Sequence, residues 1–197
     1  MQFLRRHYGR LAIGAVLAAL VYVLLLVGLP SQREQRIARE IRAHGGIVEF
    51  EYAGPGWLPA PIGYSVPWFA RISSVELRSK VPEAAFAQVW SLGKIKTLSL
   101  YGKGFSDTDL KALNQLPGLT FLNLNQTAVT DHGLEHLRQA KALRGLSLDS
   151  TPVTDGGLKH LQGLTGLTYL NLDHTHTSAA GRANLRKALP HCTITNE

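Results

Sequence analysis

Two aspartates with histidines beside them are the residues of this sequence whose types and spacing best suit chemistry. Asp149 and Asp173 are 24 residues apart, and His174 and His176 follow the second of them. Carboxylates and imidazoles that lie within a few ångströms of one another can bind a divalent ion. On an open surface, two like charges without a further fixed ligand are usually solvated instead. We therefore predict no metal and no cofactor here, and this cluster is the single place where we would look for an enzyme.

Other arrangements of reactive residues are less suited to catalysis. His132, Glu135 and His136 do not follow the H-E-x-x-H order that places two zinc ligands on one helix face. Cys192 is the only cysteine, and His191 precedes it, but neighbours in sequence do not make a nucleophile–base pair. We expect Cys192 to be buried as a small apolar residue, and we predict that the protein is not an enzyme.

The positive charge of the chain is concentrated near its N-terminus. The 197 residues carry 21 Lys and Arg against 14 Asp and Glu, a net charge of +7. Residues 1–43 hold seven arginines and two glutamates, a net charge of +5, which leaves only +2 for residues 44–197. A nucleic-acid-binding domain needs its basic groups on the folded surface that meets the phosphates. We therefore predict no nucleic-acid partner.

An apolar segment, residues 11–29, lies between the N-terminal arginines. It contains no charged residue, and a helix of that length spans about 28 Å, close to the hydrocarbon thickness of a bilayer. We predict a basic tail at 1–10, a single transmembrane helix at 11–29 that contacts the lipid bilayer, and a juxtamembrane basic helix at 31–44. That basic helix either contacts lipid headgroups or is a solvated stalk. A cleaved signal peptide and a buried core helix are the alternatives for residues 11–29.

A repeat of 24 residues occupies most of the remaining chain. Copies begin at Ile95, Leu119, Leu143 and Leu167, and a divergent copy that is one residue shorter begins at Ile72. Apolar residues fill the first, fourth and sixth places of each copy, and helical spacing follows in its second half. Each copy thus predicts a strand, a turn and a helix, whose apolar face can be buried only against neighbouring copies.

Polar residues inside the copies predict how the chain turns. Where each of three strands ends, a threonine hydroxyl can satisfy backbone groups of the turn: Thr127, Thr151 and Thr175. Two copies then have a Thr-Asp dipeptide that supplies an N-cap: Thr130-Asp131 and Thr154-Asp155. The copy from Leu167 has Thr177-Ser178-Ala179 at the equivalent place, so we expect an irregular helix start there. The copy from Ile72 lacks the cap.

The motif LxxLxLxxT followed by VTDxGLxHL resembles the bacterial leucine-rich repeat proteins related to the ribonuclease-inhibitor-like class. The resemblance implies an α/β fold, a leucine-rich-repeat solenoid with a curved parallel β-sheet and helices on its convex side, preceded here by the transmembrane helix. It divides the rest of the chain into an N-terminal cap at 45–71, about five repeats at 72–190 and a C-terminal strand at 191–197. Proteins of this class are used for protein contact and share no catalytic residues.

The strand residues between the leucines predict a concave surface, which we call the strand face. Adjacent strands lie about 4.8 Å apart, so equivalent residues of successive copies form columns across it. Aromatic side chains beside amides and carboxylates favour recognition of a partner by a few anchors, although a face of this kind can also simply collect residues of high β propensity. The predicted partner-binding residues are Glu76, Arg78, Tyr101, Phe121, Asn123, Asn125, Asp149, Tyr169, Asn171 and Asp173.

These observations predict a membrane-anchored module that binds another protein through the strand face. A short basic tail before the apolar segment favours a repeat domain outside the cytoplasm, on the periplasmic side. Small residues within residues 11–29 allow two anchors to associate. The alternative function is that of a structural or envelope scaffold without a specific ligand.

Overall fold

The computed structural model describes residue 21, residues 29–53 and residues 70–196. The chain forms two compact units, residues 1–36 with 51–71, and residues 37–50 with 72–197. In the described part of the first unit, Arg71 is buried and its Nε lies 3.7 Å from a carboxylate oxygen of Glu34. The rest of the article concerns the second unit.

Several sequence predictions fall on residues outside the described ranges. The basic tail at 1–10 lies outside them, as does residues 11–29 apart from Val21 and Leu29, and so do residues 54–69 of the predicted N-terminal cap. Among the residues that are described, none of the helices has the length and apolar character needed to cross a membrane.

A helix and a strand precede the repeats. Helix α1 (Leu29–Ala43) places Ile37 and Ile41 four residues apart on one buried face. The helix is followed by Gly45, whose φ of 80° a residue without a Cβ adopts at little steric cost. The backbone N–H of Gly46 then donates to the carbonyl of Ile41 at 3.0 Å, which closes the last turn. Strand β1 (Ile47–Tyr52) follows.

Each repeat begins with a strand and continues with α- or 3-10-helical turns. The elements are β2 (Ala70–Leu77), α2 (Glu83–Trp90), β3 (Thr97–Leu100), 3-10 turns at Asp107–Leu110 and Leu113–Gln115, β4 (Phe121–Asn123), α3 (Asp131–Glu135) with a 3-10 turn at His136–Gln139, β5 (Gly145–Ser147), α4 (Asp155–Leu161), β6 (Tyr169–Asn171), α5 (Ala179–Ala188) and β7 (Thr193–Thr195). In the described chain, the strands form one seven-stranded sheet in the order β1 to β7.

The sheet keeps the register that the repeat predicts. Strands β2 to β7 pair in parallel, and Leu98, Leu122, Leu146 and Leu170 are partners in successive pairs, with Ile194 next to the last of them. The four leucines have no exposed surface. They belong to one core with the leucines of the helical turns, so these turns cover the side of the sheet opposite the strand face. The α/β repeat fold predicted from the sequence is therefore confirmed.

The copy from Ile95 departs from the predicted strand–turn–helix pattern. Its second half consists of two 3-10 turns. Leu110, Leu113 and Leu116 are buried at intervals of three residues. Since a 3-10 helix completes a turn in three residues, this spacing keeps all three leucines on the buried side.

The three turn threonines act as predicted. Each hydroxyl donates to the carbonyl three residues earlier, at 2.7 Å for Thr127, 2.6 Å for Thr151 and 2.7 Å for Thr175. Their chain neighbours Gln126, Ser150 and His174 have φ values of 59°, 57° and 52°. The hydroxyl thus ties down a turn whose backbone is in the left-handed region.

Carboxylates join successive repeats in a series that we call the aspartate ladder. In each rung an aspartate accepts the backbone N–H and the hydroxyl of the cap residue 23 positions later. The rungs are Asp107 with Thr130 (2.7 and 2.7 Å), Asp131 with Thr154 (2.8 and 2.5 Å) and Asp155 with Ser178 (2.8 and 2.6 Å). Each cap hydroxyl also accepts an N–H of its own helix. One hydroxyl therefore caps its helix and bonds the preceding repeat.

The expected irregular helix start in the copy from Leu167 is wrong. Ser178 accepts the N–H of Gly181 at 3.0 Å and begins α5 as a regular N-cap, because a serine hydroxyl offers the same donor and acceptor as threonine. What the substitution changes is the ladder, since Ala179 stands where earlier copies have aspartate. At the other end, Pro82 precedes α2 without a side-chain cap bond, as predicted.

The ladder accounts for the glycine of the VTDxGL motif. Gly133, Gly157 and Gly181 occupy equivalent places, and a Cβ at any of them would collide with the aspartate of the preceding repeat. At Gly157 the added carbon would lie 2.5 Å from Oδ1 of Asp131. The carboxylate needs this space to reach its two donors.

We expect Gly181→Ala to lower the free energy of unfolding by about 1–3 kcal/mol, because the methyl group overlaps the Asp155 carboxylate. In an Asp155→Ala background, the same substitution should raise that free energy by up to about 1 kcal/mol, since alanine is the better helix former. Urea denaturation of the four proteins measures both effects. Gly118→Ala is the matched control, because a Cβ there meets nothing within 4 Å. Equal effects of Gly181→Ala in both backgrounds would contradict the steric role of the ladder.

The ladder also predicts how stability depends on pH. Hydrogen bonds from the Ser178 hydroxyl, and then from its backbone N–H, lower the pKa of Asp155. The unfolded chain therefore binds this proton more readily, so the contribution is complete above the ordinary carboxyl pKa of about 3.9 and is lost as the pH falls through the lower folded value. Unfolding measured from about pH 6 to about pH 3 should show a shallower acid loss in Ser178→Ala and in Asp155→Asn than in the wild type. Parallel pH profiles of all three proteins would count against this assignment.

Candidate functional site

The strand face carries the predicted residues in three columns. The sheet register aligns Ser74, Thr97, Phe121, Gly145 and Tyr169 in the first, and Glu76, Ser99, Asn123, Ser147 and Asn171 in the second. The third column follows the strand ends and contains Arg78, Tyr101, Asn125, Asp149 and Asp173, whose neighbourhood is held by backbone bonds such as Gln126 N–H to the Asp149 carbonyl at 2.8 Å. All ten predicted residues therefore lie on one side of the sheet.

A cleft brings five of these column residues together. It has a volume of about 390 Å³ and is lined by Glu76, Arg78, Ser99, Tyr101 and Asn123. Four of them belong to the predicted set, and Ser99 does not. Its place between Glu76 and Asn123 in the second column was the signal that could have included it. The cleft is built by β2, β3 and β4 and by the residues that follow β2 and β3.

A close ion pair lies at one side of the cleft. Nε of Arg78 donates to a carboxylate oxygen of Glu76 at 2.6 Å, and the Arg78 side chain is 71% exposed. This hydrogen bond is the main cause that raises the pKa of Arg78, with the charge of Glu76 second. Arg78 thus brings a permanent positive charge to the cleft.

The aromatic side chains of the strand face differ in accessibility. Tyr101 is 36% exposed and Tyr169 is 38% exposed. The expectation that Phe121 is equally exposed is wrong, because its ring is half-buried over Gly145 on the neighbouring strand. A Cβ at Gly145 would lie 2.8 Å from Cε2 of that ring. Since glycine has no side chain to pack, the ring fills the space above it.

The asparagines of the strand face are tied into the sheet through their oxygens. Oδ1 of Asn125 accepts the Ser147 hydroxyl at 2.7 Å and the Asp149 N–H at 3.0 Å. Oδ1 of Asn123 accepts the Asn125 N–H at 2.9 Å, and Asn171 makes the equivalent bond to Asp173 at 2.7 Å. These amides hold the third column in place, and their Nδ2 groups are the parts suited to a ligand.

Of the residues proposed for metal chemistry, the structure pairs two. Nδ1 of His174 lies 2.9 Å from Oδ1 of Asp149, which also accepts the Ser150 hydroxyl at 3.0 Å. Within the described ranges, no group of three or more His, Cys, Asp or Glu residues is arranged to hold a metal ion. His160, on the helical side, instead has its Nδ1 2.9 Å from Nε of Arg138.

Cys192 is half-buried, and this corrects the expectation that it is fully buried. It packs at the edge of the core, and its Sγ lies 3.7 Å from the Thr193 carbonyl. Burial raises the pKa of the thiol, so the thiol stays protonated near neutral pH. A protonated thiol is a poor nucleophile.

Comparisons with known proteins find the fold but no family. No protein-family model matches the chain, and no curated protein matches it. Among solved structures, it resembles internalin C2 of Listeria monocytogenes at 20% identity, over 60% of this chain and 47% of that chain, with a TM-score of 0.44. It resembles the Listeria monocytogenes internalin inlF at 18% identity, over 64% of this chain and 34% of that one, with a TM-score of 0.49.

A leucine-rich repeat protein of Leptospira interrogans is similar at 24% identity, over 61% of this chain and 34% of that chain, with a TM-score of 0.41. The chain thus spans about half or less of the length of each of these structures. Because these identities and scores are low, the class rests on the geometry described above. One parallel strand per repeat, the 24-residue register and the leucine columns define an α/β protein with leucine-rich repeats.

Proposed function

We propose that the repeat domain is a protein-binding module, without catalysis, whose partner contacts the strand face at the cleft around Tyr101. The observation that supports this most directly is the cleft itself, which combines an exposed tyrosine with Arg78, Glu76 and two further polar side chains. Tyrosine and arginine are the residue types that most often dominate binding energy in protein interfaces.

The rigidity of the cleft supports the same function. Its side chains project from paired strands rather than from loops, and Leu98 and Leu122 beneath them are fully buried. A site on such a scaffold loses little conformational entropy on binding. Tyr101 presents a large surface with few rotatable bonds, which keeps that cost low.

We further propose that residues 11–29 anchor the chain in a lipid bilayer, with the repeat domain outside the cytoplasm. The support for this comes from the sequence. The segment is uncharged, and arginines lie on both sides of it.

Site-specific photo-crosslinking in the native host tests the binding function. We expect a photoreactive phenylalanine at Tyr101, which is close to tyrosine in size, to crosslink one defined protein. The same group at Lys159, an exposed position on α4, is the matched control and should not trap that protein. Capture of the same species from both positions, or from Lys159 alone, would show that the partner does not use the cleft.

Protease protection tests the location. In spheroplasts with an intact inner membrane, we expect added protease to degrade the repeat domain, while a cytoplasmic control protein survives. Degradation that requires lysis of the inner membrane would place the domain in the cytoplasm and contradict the proposal.

A further inference from the structure

Opposite charges lie at the two ends of the third column of the strand face. Arg78 follows β2, whereas Asp149 and Asp173 follow β5 and β6. At about 4.8 Å per strand, Arg78 lies about 14 Å from Asp149 and about 19 Å from Asp173 along the column. The uncharged Tyr101 and Asn125 stand between them. The column is therefore positive at one end and negative at the other.

The positive end is arranged to take a second carboxylate. The contact between Arg78 and Glu76 uses Nε, so the Nη1 and Nη2 atoms can donate two parallel hydrogen bonds to a carboxylate of a partner. The guanidinium side chain is also far more exposed than its glutamate, at 71% against 33%. A ligand that approaches the cleft meets the arginine first.

The negative end is held in a fixed geometry. Asn125 binds the backbone N–H of Asp149, and both recorded hydrogen bonds to the Asp149 carboxylate, from Ser150 and His174, are made to Oδ1. The carboxylate side chain is 25% exposed. Its other oxygen can accept from a cation, and the charge of Asp173 in the next repeat adds to the local negative field.

We propose that the partner lays an extended peptide segment across the strands of this face, with an acidic side chain at Arg78 and a basic side chain at Asp149 or Asp173. An extended chain advances about 3.3 Å per residue, so spans of about 14–19 Å require the two charges to be about four to six residues apart. Tyr101 packs against the residues between them. This inference rests on the proposed function and names the chemistry of its ligand.

Selection of a random dodecapeptide display library on the immobilised full chain tests the charge register. Enriched peptides should carry Asp or Glu and Lys or Arg about four to six residues apart. Arg78→Gln and Asp149→Asn should each weaken their binding by up to about fivefold, as expected for an exposed ion pair. Lys159→Gln is the matched control and should leave binding unchanged. Selection on Arg78→Glu should replace the acidic residue of the enriched peptides by a basic one, a change that partial unfolding would not produce.

The possible failures separate the two proposals. Peptides that require Tyr101 but bind Arg78→Gln and Asp149→Asn as tightly as the wild type would overturn the charge register and leave the proposed function intact. Peptides that are insensitive to substitution of Tyr101, Arg78 and Asp149 would overturn both. If no peptide is enriched, the extended segment is wrong, and the crosslinking at Tyr101 decides the proposed function independently.

Discussion

The contact between neighbouring repeats, made by a carboxylate that serves two donors of the next copy, is the interaction on which the rest of this structure depends. Asp131 accepts both the N–H and the hydroxyl of Thr154, and the same hydroxyl accepts an N–H of α4. Leucine packing alone would tolerate small slips between copies, because hydrophobic contact is non-directional. The paired hydrogen bonds are directional, so they set the position of each helix start relative to the preceding one.

That fixed register also builds the surface where binding is proposed. Equivalent residues align across the sheet only because each copy pairs in step with the next. Arg78, Tyr101 and Asp149 come from three different repeats, and their spacing follows from the strand separation rather than from any direct contact among them. The buried leucine columns and the strand face are thus two sides of one arrangement, and a shift of register would disturb both.

Much of this arrangement could be predicted from the sequence, because a repeat states its own register. The 24-residue period indicated the strand pairs, the buried leucines and the turn threonines before any coordinates. The contribution of Asp155 to its neighbour could not be predicted in the same way, since an aspartate after a cap residue indicates an N-cap without showing which donors it reaches. Phe121 was misjudged because its burial depends on Gly145, 24 residues away, and on the absence of a side chain there.

The aspartate ladder has a direction, and this bears on how such a chain can change by gene duplication. Every internal copy carries an acceptor for the copy after it and a cap for the copy before it. A tandem duplication of one whole 24-residue unit between Asp107 and Ser178 would therefore restore both halves of the new junction at once. A duplication of any other length would separate an aspartate from its cap and leave the glycine opposite it without a purpose. Ala179 offers no acceptor, so growth by the same contact is closed beyond α5.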